Sequence, residues 1–216
     1  MPQYPHTPED TDPEGRGEPR FPRPPEGTAD TDRRVVITGG PGSGKTTLVD
    51  ALRRAGFATS PEAGRAIIRA QSAIGGLALP WTDPGLFAEA MLCWELRSHE
   101  AAGTSHGPVI FDRGLPDIVG YLRLEGREVP AHVDAAARAF RYRAQVFIAP
   151  PWPAIYRADT ERRQTPEIAR RTYEAMAAAY TDHGYELIEL PRAPVAERVR
   201  FVVDHIGGSG AVGRPG

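Results

Sequence analysis

The sequence predicts an α/β fold in which a parallel β-sheet is covered by helices on both faces. Apolar segments rich in β-branched residues alternate along the chain with segments of helical periodicity, the order typical of right-handed β-α-β crossovers. The first apolar segment is followed by a glycine-rich loop and then by a helix. Because ligands of such sheets gather at the carboxyl ends of the strands, we expect the functional residues to follow the strands directly.

A complete phosphate-binding motif joins the first strand to the first helix. Residues 34–38 predict a buried strand, and residues 46–52 predict a helix that packs on the sheet. Between them, the pattern G-x-x-x-x-G-K-[ST] allows backbone N–H groups to surround phosphate oxygens and places the Thr46 hydroxyl to bind Mg²⁺. The motif predicts binding of a nucleoside triphosphate, ATP, with Mg²⁺. The nucleotide-binding residues are Gly39, Gly40, Pro41, Gly42, Ser43, Gly44, Lys45, Thr46 and Thr47.

The amino-acid composition supports a special role for the lysine of this motif. Lys45 is the only lysine among 216 residues, whereas 25 residues are arginine. A compact ammonium group lies along the β and γ phosphates of a nucleotide in a geometry that the planar guanidinium does not reproduce. We therefore expect Lys45 to be catalytic. Because this only lysine lies in the phosphate motif, the sequence has no N-K-x-D element, which guanine-specific switches need.

Four more apolar segments predict the remaining strands of the sheet, with helices between them. These segments are residues 56–60, 108–112, 144–149 and 185–190. Two longer helices are predicted over residues 83–102 and 167–180.

An acidic and a basic residue follow the strand at 108–112. Asp112 ends this strand, where a carboxylate reaches the magnesium ion beside the phosphate loop; the alternative is a carboxylate that caps the next helix. Arg113 is placed to contact a phosphoryl or substrate oxygen through two N–H groups, and an ordinary salt bridge is the alternative. We expect Asp112 to bind the metal.

Glu62 follows the second predicted strand. A carboxylate at this position can accept the proton of a substrate hydroxyl as that hydroxyl attacks phosphorus. Equally, residues 61–63 have the pattern of a first helical turn, where the helix dipole favours a glutamate. Spacing alone leaves both interpretations open.

Two other segments contribute candidate residues. Arg157, Arg162 and Arg163 precede a proline and predict a helical lid that closes over the triphosphate, although a solvated helix face explains some of the arginines of this region. Trp81 and the aromatic side chains of residues 87 and 94 are candidates for the wall of a substrate pocket. At helical spacing, aromatic residues also commonly belong to the core.

The ends of the chain differ in composition from its middle. Residues 1–32 contain eight acidic residues, three arginines and eight prolines, with few aliphatic side chains, which predicts a disordered tail. Residues 33–206 predict one domain, and residues 207–216 a flexible tail. The formal net charge of −2 gives no indication of nucleic-acid binding. The sequence shows no membrane-length apolar run, no secretory signal and one cysteine, so we expect a cytoplasmic protein without a membrane partner.

Several motifs together resemble the small bacterial AAA-domain ATPase/kinase-like family of P-loop NTPases, which includes the ribosylnicotinamide kinase domain. The resemblance covers about residues 33–205 and implies a sheet of order 2-3-1-4-5 with an arginine-bearing lid. It implies that Glu62 is the general base, Asp112 a magnesium-associated acid and Arg113 a phosphate contact. The residues that carry it lie at 37–47, 61–65, 79–81, 111–117 and 150–152.

These expectations favour a small-molecule kinase that transfers the γ-phosphoryl group of ATP to a hydroxyl of a nucleoside-like or other metabolite. The acceptor is expected to contact Glu62, Arg65, Trp81, Arg113 and Asp117. A regulatory ATPase or nucleotide-binding switch, which has no phosphoryl acceptor, is the alternative function.

Overall fold

Five parallel strands form one sheet at the centre of the protein. A computed structural model describes residues 31–105, 107–155 and 165–208. The strand order is β2-β3-β1-β4-β5, which confirms the predicted fold class and topology. Each strand lies within two residues of its predicted bounds. The strands are β1 (Arg34–Gly39), β2 (Ala58–Ser60), β3 (Val109–Asp112), β4 (Gln145–Ala149) and β5 (Glu186–Glu189).

Seven α-helices within the described ranges connect the strands. Those predicted over residues 46–52, 83–102 and 167–180 are present as α1, α3 and α6. The helices are α1 (Lys45–Arg54), α2 (Ala63–Ile74), α3 (Pro84–Ala102), α4 (Leu115–Leu124), α5 (Ala131–Ala139), α6 (Pro166–Asp182) and α7 (Val195–Gly208). No helix of these described segments is both long and apolar enough to cross a membrane.

The sheet is buried on both faces because successive side chains of a strand point to opposite sides. In β1, Val36 packs into a cluster with side chains of α3, α4, α5 and α6. Its neighbours Val35 and Ile37 pack on the other face, against α1 and α7. All three are fully buried, and each such side chain contributes about 1.5–3 kcal/mol of burial free energy. This explains why the strand is apolar without alternation.

The carboxyl ends of the strands meet at one edge of the sheet. Ile37 of β1 pairs in register with Asp112 of β3, and Gly39 pairs with Ala149 of β4. The phosphate loop, the end of β3 and the segment after β2 are therefore neighbours in space. This edge carries the candidate site, as predicted.

Some of the predictions fall on residues that the structure does not describe. Arg157, Arg162 and Arg163 lie outside the described residues, as do most of the two predicted tails. The domain bounds at residues 32/33 and 206/207 therefore stay predictions, and the last described helix, α7, extends to Gly208.

Candidate nucleotide and acceptor site

The phosphate loop has the backbone conformation that its glycines permit. Gly44 precedes α1 with φ 74°, a left-handed conformation that favours glycine. A Cβ atom on Gly40 would lie 2.6 Å from the carbonyl oxygen of Ala169 in α6, so a larger residue does not fit there. The Ser43 hydroxyl donates to the Gly40 carbonyl at 2.7 Å and closes the loop.

The start of α1 is arranged to receive an anion. No side chain of the described residues caps this helix, so its first N–H groups and its dipole remain available to phosphate oxygens. Thr46 and Thr47 are exposed in the first turn, beside the buried Lys45. These residues are where the motif predicted them.

Lys45 and Asp112 form a buried ion pair between the phosphate loop and the end of β3. Each residue is only 5% exposed, and the Lys45 Nζ contacts Asp112 Oδ1. The sequence separation is 67 residues, so parallel pairing of β1 with β3 is what brings the two side chains together. The capping alternative for Asp112 finds no support, since its carboxylate faces the lysine.

The donors around this pair suit Mg²⁺ carried by a nucleotide. Mg²⁺ is usually held by one or two protein oxygens together with substrate phosphates and water. The Thr46 hydroxyl, on an exposed side chain of the first helical turn, and the Asp112 carboxylate are the candidate protein oxygens. No group of three or more His, Cys, Asp or Glu side chains in the described ranges forms a protein-only metal site.

Arg113 has an unusual backbone conformation. It is the only non-glycine residue with positive φ in the described part of the chain, at 81°. Such a conformation costs free energy and is maintained by surrounding contacts. The Arg113 amide donates to the Ile37 carbonyl at 3.1 Å, while its guanidinium Nη1 donates to Asp117 at 3.0 Å and its Nε to Glu62 at 3.4 Å.

The charge of Arg113 is strongly stabilised. Burial by itself lowers the pKa of Arg113, but the carboxylates of Asp117, Glu62 and Asp112 outweigh burial and raise that pKa above its ordinary value. A permanently charged guanidinium therefore lies between the carboxylates of Asp117 and Glu62. The salt-bridge alternative is correct in part, because Arg113 does form ion pairs.

The Glu62 side chain turns toward two arginines. Glu62 is the N-cap residue of α2, yet its carboxylate makes no capping hydrogen bond. Instead, Oε1 faces Arg113 and Oε2 pairs with Arg65 Nε at 3.0 Å. The Glu62 side chain is 10% exposed, whereas that of Arg65 is 47% exposed. Glu62 therefore starts the helix with its backbone, while its side chain makes ion pairs instead of a helix cap.

Asp117, which was predicted to contact the acceptor, lies below the surface of the site. It is 5% exposed and accepts four hydrogen bonds. The donors are the Thr38 hydroxyl at 2.5 Å, the Gly114 amide at 2.9 Å, Arg113 at 3.0 Å and the Tyr180 hydroxyl at 2.7 Å. Because its oxygens are occupied, the structure favours a supporting role, in which Asp117 holds Arg113, over direct contact with an acceptor.

The aromatic candidates separate into core and surface. Phe87 is buried with Ala63 and Ile67 and makes an edge-to-face contact with Tyr121. The Trp81 residue is 68% exposed and Trp94 is 37% exposed. Phe87 is thus a core residue, while Trp81 remains a predicted pocket residue.

Two charged residues of the site edge were missed by sequence reasoning. Arg198 of α7 is 3% exposed, donates to the Ser43 carbonyl at 3.1 Å and lies 6.0 Å from the Trp152 ring. Burial lowers the pKa of Arg198. Glu95 of α3 is 3% exposed and interacts electrostatically with Glu62. Neither residue has a local sequence signal, since both reach the site through tertiary packing.

Comparison with known proteins gives the family. The sequence profile of a family described as an AAA domain matches residues 34–198. The chain belongs to this family. The matched segment begins with β1 and ends in α7, so it contains the sheet, the phosphate loop and the acidic and basic residues described above. None of the curated proteins compared with the sequence matches it.

Solved structures share the fold of this AAA-domain protein at low sequence identity. A deoxyadenosine kinase from M. mycoides superposes with a TM-score of 0.61 at 13% identity, covering 81% of this chain and 99% of the kinase. The NadR protein in complex with NR superposes with a TM-score of 0.58 at 16% identity, covering 86% of this chain and 53% of NadR. Shikimate kinase from Acinetobacter baumannii in complex with shikimate superposes with a TM-score of 0.52 at 12% identity, covering 84% of this chain and 96% of the kinase.

Proposed function

We propose that this protein is an ATP-dependent small-molecule kinase that transfers the γ-phosphoryl group to a hydroxyl of a nucleoside-like or other metabolite. The observation that carries the proposal is the position of Glu62. Its carboxylate contacts Arg113, the residue that follows Asp112, and makes no helix cap. A nucleotide switch needs the phosphate side of this site, but it does not need a carboxylate on the acceptor side.

The phosphate side would bind the triphosphate through the loop amides, the α1 N-terminus and Lys45. The Lys45 ammonium is buried at the loop and would exchange its contact with Asp112 for the β and γ phosphates. Thr46 and Asp112 would hold Mg²⁺, which supplies positive charge to the phosphates when bound. Arg198 would fix the position of the Ser43 peptide through its hydrogen bond to the Ser43 carbonyl.

The transfer step would place the acceptor hydroxyl between Glu62 and the γ-phosphorus. The hydroxyl oxygen forms a bond to phosphorus while the bond from phosphorus to the β–γ bridging oxygen breaks, and ADP leaves with that electron pair. The hydroxyl proton goes to the Glu62 carboxylate. Arg113 would neutralise charge on the transferred group. Arg65 and Trp81 would border the acceptor, and the lid residues Arg157, Arg162 and Arg163 would cover the phosphates.

The fold neighbours support this class of reaction, because two of them are named as kinases of small molecules, deoxyadenosine and shikimate. Their identities to this chain, 13% and 12%, leave the acceptor to be found by experiment. We propose that the acceptor is a nucleoside, a sugar or a related hydroxyl compound. We also propose that the reaction takes place in the cytoplasm.

The test is a transfer assay with γ-labelled ATP, Mg²⁺ and a panel of nucleosides, sugars, aminoglycosides and hydroxy amino acids. The expected result is one labelled product class together with acceptor-stimulated ADP release. Lys45→Ala serves as the matched control that removes turnover without changing the circular dichroism spectrum. ATP hydrolysis that no compound stimulates would instead support the regulatory ATPase.

A further inference from the structure

Two hydroxyl groups from distant parts of the chain meet at Asp117 beneath the site. The Thr38 hydroxyl, in β1, donates to Oδ1 at 2.5 Å, and the Tyr180 hydroxyl, in α6, donates to Oδ2 at 2.7 Å. Thr38 and Tyr180 are both fully buried, and they lie 79 and 63 residues away from Asp117 in the sequence. Pairing of β1 with β3 and packing of α6 on α4 therefore bring both hydroxyls to one carboxylate.

These hydroxyls fix the orientation of the Asp117 carboxylate. Arg113 donates to Oδ1 through Nη1 at 3.0 Å, while its Nε faces Glu62. Two parallel N–H bonds from a guanidinium would fix the plane of a carboxylate, whereas a single bond leaves the carboxylate free to turn. Because Thr38 holds one oxygen and Tyr180 holds the other, the oxygen that receives Arg113 has a fixed position.

Space for the Tyr180 hydroxyl depends on the residue that follows Arg113. Gly114 has an extended backbone, with φ −153°, which any residue can adopt. A Cβ atom on Gly114 would lie 3.1 Å from the Tyr180 hydroxyl oxygen and 3.0 Å from the Tyr142 ring, so a side chain there would displace one of them. The glycine at this position therefore leaves room for the contact between Tyr180 and Asp117.

The chemistry of this contact suits a role in holding a cation. Burial, aided by the Asp117 carboxylate, raises the pKa of Tyr180 well above its ordinary value, so the phenol keeps its proton and donates. A contact that only joined β1, α4 and α6 would not need a buried carboxylate, since apolar side chains are buried at lower cost. The charge of Asp117 is explained by its partner Arg113, which needs a carboxylate in a fixed place.

We propose that Thr38 and Tyr180 are positioning residues, which act through Asp117 to hold the Arg113 guanidinium where it contacts the transferred phosphoryl group. The inference rests on the proposed kinase function, in which Arg113 makes that contact. The φ of 81° at Arg113 is strained, and such a conformation persists only where the surrounding contacts determine it. Removing either hydroxyl releases one oxygen of Asp117, and a displacement of about 1 Å in a reacting geometry costs up to about 10²-fold in rate.

The Nε–H group of Arg113 reports the position of the guanidinium without turnover. In protein labelled with ¹⁵N only in arginine, the Arg113 side-chain signal is the one that Arg113→Lys lacks. The measured quantity is the rate at which the Arg113 Nε proton exchanges with water. We expect this exchange to be at least about tenfold faster in Tyr180→Phe and in Thr38→Val, each of which removes one hydroxyl and nearly keeps the side-chain shape.

Tyr185→Phe is the matched control. The Tyr185 ring contacts the Tyr180 ring edge to face, at 5.4 Å between centroids, and its hydroxyl accepts from the Tyr142 amide at 3.3 Å. The control therefore loses a buried hydrogen bond next to Tyr180 without removing a donor to Asp117. We expect a lower thermal midpoint, as in Tyr180→Phe, with exchange of the Arg113 proton unchanged.

Kinetics with the acceptor found in the panel give the second measurement. Tyr180→Phe should lower kcat about tenfold while the KM for ATP changes less than about twofold, because an interaction made in the transition state affects kcat. In an Arg113→Lys background, the same substitution should cause no further loss, since residues that act through one group are not additive. A merely structural role of Tyr180 would lower the thermal midpoint without this coupling.

Three results would overturn the proposal. The first is slow Arg113 exchange in both Tyr180→Phe and Thr38→Val, and the second is equal acceleration in Tyr185→Phe, which would show a general loosening of the tyrosine cluster. The third is independent losses of kcat from Tyr180→Phe and Arg113→Lys. If Tyr180→Phe does not fold, Thr38→Val decides. Because the exchange measurement needs no acceptor, ATP hydrolysis that no acceptor stimulates refutes only the kinase function, whereas unchanged Arg113 exchange refutes only the positioning role.

Discussion

Replacing Glu62 by Gln tests the proposed mechanism at its central residue. Gln has nearly the same size and keeps hydrogen-bonding capacity, but it does not accept the proton of the acceptor hydroxyl. Removing a general base typically lowers the rate by about 10²- to 10⁴-fold. We expect this loss in the rate of phosphoryl transfer, with the affinity for ATP and Mg²⁺ nearly unchanged, because in the proposed mechanism Glu62 contacts the acceptor and not the phosphates.

The surrounding contacts indicate that the substitution leaves the site in place. Arg113 is held by Asp117 at 3.0 Å, a shorter contact than the 3.4 Å to Glu62, so the guanidinium keeps its main partner. The lost pair with Arg65 involves a side chain that is 47% exposed, and such a pair contributes about 0–1 kcal/mol. The expected rise of the transfer barrier is about 2.7–5.4 kcal/mol, at 1.36 kcal/mol per tenfold. Loss of the base is the larger effect.

The assay is single-turnover transfer from γ-labelled ATP to the acceptor found in the panel, with ATP affinity measured separately by calorimetry. Arg65→Gln is the matched control, since it removes the exposed partner of Glu62 and keeps the carboxylate. We expect the rate of phosphoryl transfer by Arg65→Gln to change less than tenfold. Unimpaired transfer by Glu62→Gln would return Glu62 to the role of a helix-start carboxylate, and a parallel loss of ATP affinity would place it on the phosphate side.

The remaining predictions concern Lys45 of the phosphate loop, Arg198, which contacts this loop, the buried Glu95 and residues 1–32. Lys45→Arg should lower turnover at least about 10²-fold with an unchanged circular dichroism spectrum; turnover like that of the parent would refute the proposed phosphate geometry. Arg198→Met removes a charged hydrogen bond worth about 1.5–3 kcal/mol and should weaken ATP binding about tenfold by calorimetry, so unchanged affinity would rule out its support of the loop. Because the pKa of Glu95 is raised in the folded state, its favourable contribution to stability is present below its ordinary pKa of 4.5 and is lost as pH rises through the folded pKa. Glu95→Gln should therefore gain stability relative to the parent as the pH of urea denaturation rises from about 4 to about 8, and an equal difference at both pH values would contradict this. Deleting residues 1–32 should leave the thermal midpoint and ATP affinity unchanged, and a drop of many degrees in a thermal melt would show that this segment packs on the domain.

Much of the fold was predictable because its signals are local. The runs of β-branched residues at residues 34–38 and 108–112 indicated buried strands, and the glycine motif placed a loop and a helix after the first of them. The position of Asp112 beside the phosphate loop followed from the rule that carboxyl ends of parallel strands share an edge, whereas its ion pair with Lys45 was not predicted. Helix bounds in α4, α5 and α7 were less predictable, because those helices depend on packing against the sheet more than on their own sequence pattern.

The sequence by itself determined the class of fold, the phosphate loop and the candidates Glu62, Asp112 and Arg113, since each follows from short-range pattern or from position after a strand. Only the tertiary structure decided how these residues are supported. Arg198 reaches Ser43 across a separation of 155 residues, Asp117 is saturated by donors from three other segments, and Glu95 is buried on a helix where a glutamate ordinarily faces water. Burial and hydrogen-bond satisfaction depend on which elements pack together, and no local pattern records that.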